Sequence, residues 1–132
     1  MLIKNITKNR IIGHNYKICD DNISKFIGLM FSKQAKIEDF WYPENSKNFP
    51  EQQKNALIFK FNKEKIISLH MIFVFYPIDV LFLDNNKIVV DIKENFKPFT
   101  FYKSRKKTVY VIELPHGIIR KTKTEIGDKV VF

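Results

Sequence analysis

The sequence predicts a mainly β protein, one domain over residues 1–132, with about nine strands and one or two short helices. Three observations predict it. At 132 residues with 45% hydrophobic side chains and thirteen Phe, the chain can bury a core without staples. Its apolar runs are short, rich in Ile, Val and Phe, and separated by turn residues. With only four Gly and five Pro, a low-complexity or collagen-like chain is excluded.

The elements follow in order. Strands are expected at 2–6 and 11–19, with "TKNR" turning between them. In "DDNISKFIGLMF", Ile23, Phe26, Ile27 and Met30 fall on one helical face. Asp21 or Asn22 can cap that helix, and Gly28 suits close packing on a strand. Residues 32–55 contain "DFWYPENSKNFP" and no strand period. They read as a long loop insertion, anchored by Trp41 and Tyr42 or acting as a binding lid. "ALIFKFNKEKIISLH" reads as a hairpin, with strands at 56–61 and 65–75 and a turn at "NKEK".

Residues 66–83, "IISLHMIFVFYPIDVLFL", are long enough to suggest a membrane helix. Asp79 would be costly in hydrocarbon, Pro77 would break the helix, and "DNNK" after it signals a turn. A second strand at 78–83, meeting the first at a Pro77 corner, fits better. Strand parity places Val80 and Phe82 on one face and Asp79, Leu81 and Leu83 on the other. Asp84 to Lys87 should turn the chain into a return strand, with Asn85 and Asn86 tolerating positive φ. Further strands are expected near 98–102 and 108–114. A short helix in "PHGIIRKT" with Pro115 in its first turn follows, then a last strand after Gly127-Asp128.

The net charge is +9, and residues 93–123 alone carry +7 from nine basic and two acidic side chains. Lys103, Arg105, Lys106 and Lys107 are the candidate anion-binding group. They lie beside Phe99, Phe101 and Tyr102, a pairing that suits single-stranded nucleic acid. The plainer reading is a solvated turn. The single Cys, Cys19, excludes an internal disulfide and reads as a small buried hydrophobe. No signal peptide is seen in "MLIKNITKNR", so a cytoplasmic protein is expected.

Catalytic signals are sparse. His14, His70 and His116 have no metal-ligand spacing, so no metal or cofactor is expected. There is no GxSxG, P-loop or GxGxxG motif. Ser104 lacks a nucleophile's context, and Glu64 and Glu113 make no diagnostic acidic pair. Within the long apolar run only His70 and Asp79 are polar, and each needs a partner if buried. With Pro77 they form the candidate pocket. As a plainer role, Asp79 can accept backbone N–H bonds at the corner.

The blocks "GLMF", "ALIFKF", "HM", "PIDVLFLD", "YVIELPHG" and "IGDKV", in this order, resemble an uncharacterised family, domain of unknown function 192. The resemblance spans about residues 20–130. It implies a compact β-sandwich or barrel, jelly-roll-like, with one or two helices and no established activity. Ile72, Phe73 and Val74 stand where many members have polar residues, and the 32–55 segment is longer than expected. The expected function is therefore a small β-sandwich binding module of unknown ligand with no evident catalytic site. The alternatives are an enzyme using His70 and Asp79 at the Pro77 corner, and a polyanion binder using residues 103–107. Partners are unknown; no membrane is expected, and nucleic acid is admitted but not favoured.

Overall fold

The computed structural model describes residues 2–14, 16–19, 56–70, 77–97 and 100–132. The predicted helix over Ile23–Met30, the 32–55 loop with Trp41 and Tyr42, the strand beyond His70, and Phe99 lie outside the described residues.

The mainly β reading holds: the described residues form ten strands and one short helix. The strands are β1 (Leu2–Asn5), β2 (Arg10–His14), β3 (Tyr16–Cys19), β4 (Ala56–Lys65), β5 (Ser68–His70), β6 (Ile78–Leu83), β7 (Val89–Phe96), β8 (Phe101–Lys103), β9 (Thr108–Pro115) and β10 (Val130–Val131). The helix, α1, is Ile118–Thr122. No helix among the described residues is long and apolar enough to cross a membrane.

Three sheets arise from this order. The central one runs β3-β4-β9-β6-β7; the others are β10-β1-β2 and β5-β8. Among the described residues these sheets stay open rather than closing into a barrel. All pairings are antiparallel except β3 with β4. The parity expected of β6 is observed, and every one of its residues is buried. Leu81 and Leu83 join Ile112, Leu114, Ile58, Ile3, Ile12, Val130 and α1 in one core. Val80 and Phe82 join Val111, Phe59, Phe96, Ile67 and Leu69 in a second. A sheet buried on both faces needs apolar residues at successive positions, which explains the unbroken "IDVLFL".

Several boundaries differ from the sequence expectation. The single strand expected at 11–19 is two, in different sheets. "NKEK" is no hairpin turn: β4 runs on to Lys65 and pairs with β3 and β9, not with β5. Its polar residues lie where the register jumps between Lys60↔Tyr110 and Lys65↔Thr108, so the polarity marks an irregular bulge. At the β6–β7 turn the positive φ falls on Lys87 (60°), not on Asn85 or Asn86. The Asp84 carboxylate accepts the amides of Asn86 and Ile88, and a left-handed residue closing a three-residue hairpin loop fits this geometry. Pro115 ends β9 opposite Ile78 rather than opening α1. Its fixed φ is tolerated there because strand ends can spare an N–H.

A buried polar network ties the chain ends to one another. Asn5, fully buried, donates to Thr124 Oγ1 (3.2 Å) and Asp128 Oδ2 (2.8 Å), and its Oδ1 accepts the Lys8 amide. Asn5→Ala strips donors from two buried acceptors, so urea unfolding should show a loss of roughly 2–4 kcal/mol. A loss under ~0.5 kcal/mol would mean water replaces the amide without cost.

Candidate functional site

Asp79 stands at the Pro77 end of β6, and its side chain is completely buried. By parity it faces the core that contains α1. Oδ1 accepts the Asn95 amide at 3.0 Å and lies 3.2 Å from His116 Nδ1. Oδ2 accepts the amides of Gly117 (2.9 Å) and Ile119 (3.1 Å). A carboxylate offers about four lone-pair positions, and all are taken.

Each donor is presented by a local irregularity. Asn95 has φ 49° within a β7 bulge, where Ile78↔Phe96 gives way to Val80↔Lys93. Gly117 has φ 93° and is the N-cap of α1, but has no side chain to bond the first amides. A helix start leaves such N–H groups without intrahelical partners; here a carboxylate from another strand supplies the cap.

His116 is half exposed. Because a carboxylate only accepts, Nδ1 carries the proton in this contact, and Nε2 is left as the acceptor of the neutral ring. The imidazole set against Asp79 is thus that of His116. His70 closes β5, its backbone opposite Phe101, in the layer over the other face of the central sheet. Sequence reasoning noted His116 but had no signal to join it to Asp79, because their proximity depends on the β6–β9 pairing. That register sets Asp79 opposite Leu114.

The basic turn is built differently. Asp91, fully buried, accepts Tyr102 Oη (2.8 Å), the Arg105 amide (2.9 Å) and the Arg105 guanidinium (2.8 and 3.1 Å). These bonds hold its carboxyl below the usual range against the upward push of burial. Ser104 is buried, accepting the Ile67 amide and donating to the Lys106 carbonyl. Of the four candidate anion ligands, Arg105 is committed to Asp91, while Lys103, Lys106 and Lys107 are exposed side chains around the turn.

Glu113 sits on β9 opposite Val80 and Leu57, on the apolar face that includes Val111. Nothing among the described residues donates to it. Burial alone pushes its carboxyl up to about 7. No sequence signal separated it from an exposed Glu, since its burial follows from sheet position.

The described residues form a mainly β protein of open sheets with a carboxylate-held imidazole at one end of β6. The family model for domain of unknown function 192, described as "Uncharacterized ACR", matches residues 4–132. The chain belongs to this family. It is 34% identical to a UPF0127 protein of Pyrococcus furiosus, over 96% of this chain and 93% of that one. A UPF0127 protein of Thermococcus sibiricus is 33% identical, over 98% and 73% of the two chains. Among solved structures, a Novosphingobium aromaticivorans protein of unknown function superposes with TM-score 0.68 at 15% identity, covering 99% of this chain and 82% of that one. A Sinorhizobium meliloti protein titled a putative transcription regulator gives TM-score 0.66 at 19% identity, with 98% and 89% covered. Both show a shared fold.

Two predictions follow from the geometry. Asp79→Ala leaves several amides unmatched and should cost roughly 3–5 kcal/mol in urea unfolding. His116→Ala removes only a half-exposed ring and should cost under ~1 kcal/mol; equal losses would contradict this division of roles. For Glu113, the folded carboxyl titrates at about 7 against an ordinary 4.5, so the folded chain holds this proton more tightly. That stability is fully present below pH 4.5 and is lost as pH rises through about 7. Relative to Glu113→Gln, the wild type should lose on the order of 3 kcal/mol across this window. Parallel pH profiles for the two proteins would show that the carboxyl is ionised in the fold.

Proposed function

We propose that the protein is a small binding module that meets its ligand at the Pro77 corner through His116. One observation carries this reading. A fully buried carboxylate with every acceptor position filled holds an imidazole whose second nitrogen is left for the surface. A group held in one tautomer and orientation loses little freedom on binding. The ligand chemistry that fits Nε2 is a hydroxyl or N–H donor.

The same held tautomer favours a second reading, general-base catalysis, in which Nε2 takes a proton from a bound substrate. The experiment is an NMR screen of a polar metabolite library against labelled protein. Compounds should shift the amides of His116, Gly117 and Asn95 together, and His116→Ala should weaken them at least about tenfold. Hits that map elsewhere, or that are unaffected by the substitution, would overturn the assignment. Turnover of a captured compound, lost in His116→Gln while binding persists, would select the catalytic reading.

A further inference from the structure

The turn before β9 is fixed from within, and its lysine side chains take no part in fixing it. Arg105 gives its amide and its guanidinium to the buried Asp91. The Ser104 hydroxyl accepts the Ile67 amide (2.9 Å), and the Ser104 amide donates to the Ile67 carbonyl (2.8 Å). The Lys106 carbonyl accepts the hydroxyls of Ser104 (3.0 Å) and Thr108 (3.1 Å). Lys103, Lys106 and Lys107 keep exposed side chains and form no ion pair among the described residues. Between Glu94 and Glu113 the chain has no Asp or Glu. Asp91 reaches the turn from β7, but Arg105 matches its charge. The Glu64 carboxylate accepts the Asn85 amide at a different turn.

Beside these cations β8 turns an aromatic ring outward. Tyr102 faces the core: its hydroxyl donates to Asp91, and its ring lies 5.7 Å from that of Phe82 and 6.4 Å from that of Phe96. Its neighbours Phe101 and Lys103 therefore share the opposite face of the strand. Phe101 is 74% exposed, the most of any large hydrophobic side chain among the described residues. The pairing of Lys103 with Ser68, also exposed, continues that face onto β5.

An outward phenyl ring leaves apolar area in water, and neighbouring ammoniums without counter-charges repel one another. One ligand chemistry answers both. A phosphate backbone pairs with the ammoniums, and an unpaired base stacks on the ring. A compact anion would leave the ring in water, and a duplex keeps its bases stacked on each other. We infer that Lys103, Lys106 and Lys107, with Phe101, form a binding surface for single-stranded nucleic acid. This inference stands apart from the reading of His116, since the turn opens β9 and His116 follows its other end.

The test is fluorescence anisotropy of the folded chain with a short oligothymidylate, with the same backbone lacking bases, and with a duplex. Each phosphate contact to a single strand adds about 0.7 to the slope of log affinity against log salt, so Lys103→Gln/Lys106→Gln/Lys107→Gln should flatten that slope by roughly 2. Lys60→Gln/Lys121→Gln/Lys123→Gln removes as much charge elsewhere and should stay within about twofold of wild type. Phe101→Ala should weaken oligothymidylate at least about fivefold and leave the abasic strand unchanged. Phe101→Trp, which keeps a stacking face, should retain binding. If Phe101→Ala disturbs the fold, Phe101→Leu keeps the apolar bulk without the ring and should show the same loss. Wild-type binding no tighter than to the abasic strand, equal loss in both triple variants, or duplex binding as tight and untouched by Phe101→Ala would overturn the inference.

Discussion

The structure depends most on the Asp79 carboxylate. A buried charge is tolerated only when its hydrogen-bonding capacity is met. Here the four positions are met by β7, by the β9–α1 connection and by α1 itself. One side chain thereby decides where β7 bulges, where α1 starts and how the His116 ring is turned. The irregular backbone at Asn95 and Gly117 makes sense in this light. Regular strand and helix geometry would aim those amides into ladders of their own.

Burial on both faces of the central sheet follows the same logic at larger scale. Alternation cannot protect such a sheet, so each face has its own apolar layer and each intruding polar group its own partners. Asp91 binds the β7 edge to the turn before β9 through Tyr102 and Arg105. Ser104 joins that turn to Ile67. Glu113 is the exception among the described residues: it finds no donor there, and burial pushes its carboxyl up to about 7. The basic turn, viewed this way, is partly architecture: its arginine closes a buried carboxylate, and only its lysines are exposed side chains.

Much of the succession of strands along the chain was legible. Strand β6 and its facing pattern could be read directly, because burial on two sides with one Asp leaves a distinctive signature. The turn at Asp84 to Lys87 was legible through its Asp and Asn residues, although the left-handed residue was misplaced. The split of 11–19 into two sheets and the continuation of β4 through "NKEK" were not. Polar residues in a bulge and polar residues in a hairpin turn look alike along the chain. Membership in the family of domain of unknown function 192 was also readable, from block order alone, and the family match extends to the first strands as well.

The sequence by itself determined the mainly β class, strand β6 with its facing pattern, and the need for Asp79 to find partners. These rest on local properties: side-chain period, residue type, and the desolvation of a charge. Only the tertiary structure decided which partners those are. His116 reaches Asp79 because β9 pairs beside β6. Residues 37 or more positions apart are joined by sheet register, and register is set by how all the apolar faces are covered at once.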